Sequence, residues 1–201
     1  MTIRQAILIS FLALSTALGS GQAFAEGVGT KTVRQANSKL SKMFLAEKTA
    51  SEAEMLAKAR KQLGGFLNVE ELGKRALSEH WTSLSKAKQT EFTTLLRQLI
   101  ETNYVKGMKA NVKYKVSYLG EKPQGEFLLV QTVVKSKRKG RPLKIEIDYL
   151  LSKSGDTWST FDIITDGIGL VENYRAMFNK IIGKSGFDAL LEKMRKKLAA
   201  G

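Results

Sequence analysis

Between Thr30 and Tyr104 the apolar residues recur at helical spacing. Val33, Ala36, Leu40, Met43 and Phe44 fall on one face of a first helix. After a break at Lys48–Ala50, the run Ser51-Glu52-Ala53-Glu54 has the form of a capping box, opening a second helix that ends at Gly64-Gly65. A short helix is expected over Val69–Ser78. The most regular one begins near Ser85 and places Phe92, Leu95, Leu96, Leu99, Ile100 and Tyr104 on one face. From Val112 to Thr165 the period changes to two. Val112, Tyr114, Val116 and Tyr118 alternate with Lys113, Lys115 and Ser117, and a turn is expected at Glu121–Gly125. Phe127–Lys135 is apolar or β-branched on both faces, Lys137–Pro142 has the character of a hairpin tip, and Ile145, Ile147, Tyr149 and Leu151 alternate with charged residues. Ser154-Gly155-Asp156 turns the chain into Thr157–Thr165. Four consecutive strands with short connections predict an antiparallel meander. Helix resumes over Ile168–Ile182, and Ser185-Gly186-Phe187-Asp188 caps a last helix bearing Leu190, Leu191, Met194 and Leu198. Helices segregated from one antiparallel sheet make an α+β fold. With no Gly/Pro/Ser linker and no internal repeat, residues 26–201 are expected to form one domain.

The first 25 residues follow a different rule. Arg4 is the one charged side chain in Met1–Gln5, Ala6–Leu18 is a mostly apolar run, and Ala23-Phe24-Ala25 is an A-x-A cleavage pattern. The apolar run is too short to span about 30 Å of hydrocarbon, so the segment is expected to be a signal peptide cleaved after Ala25. An exported chain without cysteine must draw its stability from its core rather than from disulfides. Zero cysteines and a single histidine, His80, also exclude thiolate nucleophiles, Cys-ligated clusters and multi-histidine metal centres, so no metal site is expected. The chain is basic, with a formal net charge of +14.

Lys135-Ser136-Lys137-Arg138-Lys139-Gly140-Arg141 and the cluster Lys193, Arg195, Lys196, Lys197 concentrate that charge. Export argues against nucleic acid as a partner and favours an anionic membrane surface or simple solvation. His80 has no Ser nucleophile motif near it. Glu146, Asp148 and Asp162 are the carboxylates that an enzyme built on a curved sheet would use. Glu146 and Asp148, however, alternate opposite to Ile145, Ile147 and Tyr149 and so point away from the apolar side. The large apolar side chains offered to one sheet have two explanations: a solid core, or a sheet-and-helix cup around an apolar ligand. In the second, the walls are expected from the strand positions Val116, Tyr118, Val130, Val134, Ile147 and Tyr149. The helix positions Phe92, Leu96, Leu99, Val171, Tyr174 and Phe178 would complete them.

Two segments carry a resemblance. One runs from Phe66-Leu67-Asn68-Val69-Glu70-Glu71-Leu72 through Ala76-Leu77-Ser78-Glu79-His80-Trp81 to Gln89, Phe92 and Tyr104. The other is Trp158-x-x-x-Asp162, Asp166-Gly167-Ile168-Gly169-Leu170-Val171, Tyr174-Arg175-x-x-Phe178 and Gly186-Phe187-x-x-Leu190. Together these are similar to the MlaC-type (toluene-tolerance) periplasmic phospholipid-binding proteins, with two departures: Ser78 stands where that pattern has Gly, and Gly169 where it has Ser. The resemblance implies an NTF2-like sheet wrapped by helices, with phospholipid acyl chains held in the cup by the twelve wall residues above. It implies a monomeric, non-enzymatic periplasmic carrier without cofactor. Such a carrier would move lipid between an outer-membrane lipoprotein complex and an inner-membrane ABC transporter with an MCE-domain protein, and so maintain outer-membrane lipid asymmetry. The alternatives are a carrier of another lipid such as a hopanoid, and a small exported NTF2-like enzyme.

Overall fold

The computed structural model describes residues 26–46, 51–108, 114–138 and 141–200. The expected leader, the break at Lys48–Ala50, Val112-Lys113 and Lys139-Gly140 of the hairpin tip lie outside the described residues. The elements are α1 (Val28–Ala46), α2 (Glu52–Gly64), α3 (Val69–Leu77), α4 (Glu79–Thr82), α5 (Lys86–Met108), β1 (Tyr114–Gln124), β2 (Phe127–Arg138), β3 (Arg141–Ser154), β4 (Thr157–Thr165), β5 (Ile168–Gly169) and α6 (Leu170–Ala199). The class is α+β. The capping box forms as the sequence predicts: Ser51 Oγ accepts from the Glu54 N–H, and the Ser51 N–H donates back to Glu54 Oε2 at 2.9 Å.

The sheet is an antiparallel meander in the order β1-β2-β3-β4-β5, so it has five strands where four were expected. The extra strand occupies Ile168-Gly169, where helix was expected to resume. Asp166 and Gly167, at φ 48° and 82°, reverse the chain in two residues, so Thr165 pairs with Ile168 before α6 begins. Asp166 is fixed there by Glu146, whose N–H donates to Asp166 Oδ1 at 3.1 Å and whose carbonyl accepts from the Asp166 N–H at 2.9 Å. β1 also differs from expectation by running through Glu121–Gln124. A bulge between Tyr118 and Gly120 shifts the register so that Glu121 sits opposite Val130. From there the Glu121 carboxylate reaches the first turn of α1 and accepts from the Thr30 N–H at 2.5 Å. An anion at that end complements the helix dipole.

Two apolar bodies pack on this frame. On one sheet face the register aligns Val116 with Val134 and Ile145, and Val130 with Tyr149 and Ile163. α1 covers this face through Val33 and Ala36, and Phe66 closes one side with its ring edge toward Tyr149, centroids 6.1 Å apart. The other body joins α3, α5 and α6 through Leu72, Leu77, Phe92, Leu96, Phe178 and Leu190. α6 bends at Gly186 (φ 79°, ψ 170°), which is the expected start of the last helix.

Ser78 links α3 to α4 at φ 50°, ψ −121°, in the left-handed region that favours glycine, and its side chain caps neither helix. An L-residue there costs roughly 1–3 kcal/mol, against about 0.4–1 kcal/mol for the extra unfolded-state freedom of Gly. Ser78→Gly is therefore expected to raise stability by about 1 kcal/mol, read as a higher urea midpoint at unchanged slope. A lower midpoint would mean that the serine side chain holds the joint.

Candidate functional site

The twelve wall residues read from the sequence separate into two groups of six. Val116, Tyr118, Val130, Val134, Ile147 and Tyr149 share the sheet face beneath α1. Phe92, Leu96, Leu99, Val171, Tyr174 and Phe178 lie in the helical body. The structure does not bring all twelve into one lining. The reason is aromatic packing: Phe92 meets Phe178 edge-on at 5.4 Å and Phe187 at 6.0 Å, while Tyr174 stacks on Phe178 at 5.3 Å. Phe92 and Phe178 are 0% and 1% exposed, and burial raises the Tyr174 phenol pKa to about 12. Filled rings in contact leave that body the character of a solid core.

The sheet-side group is different in kind. Its floor is a broad apolar face whose roof, α1, turns toward it a stripe of small and polar side chains. Thr30, Val33, Asn37, Leu40 and Ser41 are buried on that helix. The Asn37 amide donates to the Tyr118 hydroxyl at 3.0 Å and lies beside the Tyr149 hydroxyl. Tyr104, Tyr114 and Tyr149 lie within electrostatic reach of one another, and desolvation pushes all three phenols well above their ordinary range. Four of the chain's five tyrosines thus each lie within electrostatic reach of at least one other on this side of the sheet. Val33, Ala36, Phe66, Ile145 and Leu151 belong to this face but were not among the expected wall residues. The 3/4 spacing of Val33, Ala36 and Leu40 was the signal for the α1 members. Nothing local marks Phe66, which arrives through the contact between Leu67 and β4.

The motif residues that carry the resemblance turn out to join the frame. Gln89 Nε2 donates to the Trp81 carbonyl at 3.0 Å, and Arg175 donates to the Arg75 carbonyl at 2.9 Å. The Arg75 guanidinium lies over the Phe127 and Phe161 rings at 4.5 and 4.7 Å. Asp162, one of the carboxylates an enzyme would use, has a joint to hold: its Oδ1 accepts from the Val171 N–H at 3.1 Å and caps α6 from the neighbouring strand. Gly169, the residue before that helix, has no side-chain cap, and a Cβ there would stand 2.7 Å from Asp162 Oδ2. The glycine and the capping carboxylate therefore fit as a pair.

Among the other candidates, His80 is half-buried on α4 and accepts the Ser83 hydroxyl on its carbonyl. Glu146 is exposed and pairs with Lys144 at 2.9 Å. Asp148 is half-buried, and desolvation raises its pKa. Both lie on the face opposite Ile145, Ile147 and Tyr149, as the alternation predicts. Among the described residues no cluster of three or more His, Asp or Glu is placed to hold a metal ion, and no helix is long and apolar enough to cross a membrane.

Desolvation also raises the Asp162 pKa from its ordinary 3.8. A carboxyl raised on folding contributes stability that is complete below the unfolded value and is lost as pH rises through the folded value. Asp162→Asn keeps a cap acceptor and removes that slope. Relative to wild type, its stability is expected to improve as pH rises above about 4. Asp162→Ala is expected to lose about 1–2 kcal/mol at every pH. Urea titrations across pH check both, and equal loss in Asn and Ala variants would show that the cap is not what Asp162 contributes.

The family model described as MlaC protein matches residues 32–196. The chain belongs to the MlaC family. It is 22% identical over 139 residues to the intermembrane phospholipid transport system binding protein MlaC of Haemophilus influenzae, a match covering 68% of this chain. The match spans 65% of that relative's own length. The fold is similar to that of a phospholipid-binding protein from Ralstonia solanacearum solved in complex with a phospholipid, with a TM-score of 0.72 and 18% identity. That superposition covers 85% of this chain and 96% of the other. The MlaC match takes in most of α1, the whole sheet and most of α6, so the buried residues of both apolar bodies lie within it.

Proposed function

We propose that this MlaC-family chain is a periplasmic carrier that holds phospholipid acyl chains between α1 and the apolar sheet face. The observation that carries the reading is the contrast between the two apolar bodies. One is filled with interlocked rings; the other sets a broad apolar floor under a helix whose buried face carries Thr30, Asn37 and Ser41, each with a side-chain oxygen that has no partner among the described residues. In this reading the leader is cleaved after Ala25, the remainder is one NTF2-like domain, and the protein works as a monomer. Its partners are an outer-membrane lipoprotein complex and an inner-membrane ABC transporter with an MCE-domain protein, and its task is to maintain outer-membrane lipid asymmetry. No bond is made or broken.

A phospholipid has about 30 acyl methylenes, and exposing them to water costs on the order of 25 kcal/mol at about 0.8 kcal/mol each. Transfer from bilayer to a dry protein cup exchanges one apolar surrounding for another, so the carrier lowers a barrier without driving the direction. Native mass spectrometry of protein purified from its own cell envelope tests the reading. The expected result is a chain starting at Glu26 with a co-purifying mass of several hundred daltons that extracts into chloroform. Ligand-free protein that also fails to take lipid from vesicles overturns it.

A further inference from the structure

One row of the sheet sets like charges side by side. The register places Lys115 of β1 opposite Lys135 of β2, and Lys135 opposite Lys144 of β3. The adjacent residues Val116, Val134 and Ile145 form a row on the face that α1 covers, so by alternation the three lysines stand on the other face. All three are exposed, as is Lys137, two residues further along β2 on the same side. The helical body packs on the distant part of this face through Phe127 and Leu150 and leaves the lysine row open to solvent. Glu146, in the next row, pairs with Lys144 at 2.9 Å. Among the described residues Lys115, Lys135 and Lys137 have no ion-pair partner.

Like charges directly opposite one another weaken a sheet. Lysine on an edge strand guards against edge-to-edge pairing, which accounts for Lys115. It does not account for Lys135 and Lys144, because β2 and β3 are interior strands. The second basic cluster, on α6, is already offset: Arg195 pairs with Glu91, and Lys196 with Glu192 at 2.6 Å. The chemistry of the lysine row narrows what it meets. Lysine is a hydrated point charge on a flexible stem, not the planar fork that grips one carboxylate. The exposed large apolar residues among those described, Val28, Leu119, Ile168 and Met177, lie outside this row and the next. The centre of a protein–protein interface is depleted of lysine and rich in aromatic residues and arginine. A cationic sheet face without an apolar anchor suits a surface of many mobile negative charges.

We propose that the face built by Lys115, Lys135, Lys137 and Lys144 docks the protein on an anionic bilayer surface. This goes beyond the carrier reading and does not depend on it. Sedimentation of the purified mature chain with vesicles tests it, with equal parts phosphatidylglycerol and phosphatidylcholine compared with phosphatidylcholine alone. Binding is expected only where phosphatidylglycerol is present, and is expected to vanish near 1 M salt, where the screening length falls to about 3 Å. Each lysine near an anionic surface contributes about fivefold, so Lys115→Gln/Lys135→Gln/Lys144→Gln is expected to bind at least about tenfold more weakly. Arginine at the same three positions is expected to restore wild-type binding. A charge-matched control at exposed positions of α6, Lys180→Gln/Lys193→Gln/Lys197→Gln, is expected to lose less than about threefold. Native mass spectrometry of the same samples reports bound lipid separately, so docking and cargo can fail independently. Equal losses in the two glutamine variants would reduce the effect to net charge and overturn the assignment to this face. Binding of wild type to poly-glutamate but not to the vesicles would overturn it in favour of an acidic protein partner.

Discussion

Phe92→Ala is expected to cost about 3–5 kcal/mol, the range for removing a fully buried aromatic ring from a core that relaxes only in part. The ring has three aromatic partners within two contacts: Phe178 edge-on, Phe187 tilted beside it, and Tyr174 stacked on Phe178. It also supports the crossing of α3 over α5. A Cβ at Gly73 would stand only 2.9 Å from the Phe92 ring, so these helices meet as closely as their side chains permit. For a domain of this size such a loss takes a large share of a total stability of about 5–15 kcal/mol. Urea unfolding of delipidated protein measures it. A cost below about 1 kcal/mol would mean that Phe92 borders an open space, returning the helical residues Leu96, Leu99, Val171, Tyr174 and Phe178 to the lipid walls.

The prediction also shows where the sequence was readable. Period and caps determined the elements: the Ser51–Glu54 box, the alternation of Ile145, Ile147 and Tyr149, and the helix carrying Phe92 all stand where their spacing put them. Two boundaries were not legible because they depend on partners distant in sequence. The two-residue β5 exists through the Asp166–Glu146 bonds, and β1 continues past Tyr118 through a bulge that a period-two count reads as the strand's end. The site was legible by face but not by grouping. Spacing identifies which side of each element is apolar, yet it cannot say that the strands' apolar face meets α1 while the apolar face of α5 meets α6. The motif residues added to the difficulty. Trp81, Gln89, Asp162 and Arg175 make conspicuous patterns, and their contacts are joints between helices and strands. The polar members of the site, Asn37 and Ser41, have no local signature beyond lying on the buried side of an amphipathic helix.

Locking α1 onto the sheet is expected to stop lipid uptake. α3, α5 and α6 are fastened by the Arg175–Arg75 carbonyl bond, by Gln89 on the Trp81 carbonyl and by the ring cluster. α1 rests on the sheet through Val33, Ala36, the Glu121–Thr30 and Asn37–Tyr118 hydrogen bonds and a stripe with unpaired oxygens. Among the described residues it has none of the interlocked rings that join the other helices, and it is the wall expected to lift to admit acyl chains. A Cβ at Gly29 would lie 3.0 Å from Val130 Cγ2. That brings a Gly29→Cys, Val130→Cys pair within reach of the roughly 3.5–4.5 Å Cβ separation of a disulfide. Because the chain has no cysteine of its own, the cross-link is unambiguous and reversible. If loading requires the lifted state, removing it from the ensemble lowers the competent fraction directly. Oxidised double variant incubated with vesicles is expected to take up at least about tenfold less lipid than the same protein after dithiothreitol, with each single variant unaffected by either treatment. Equal uptake by the oxidised and reduced forms would show that acyl chains enter without moving the first turns of α1, and the opening of the cup would have to be sought at another edge of the sheet.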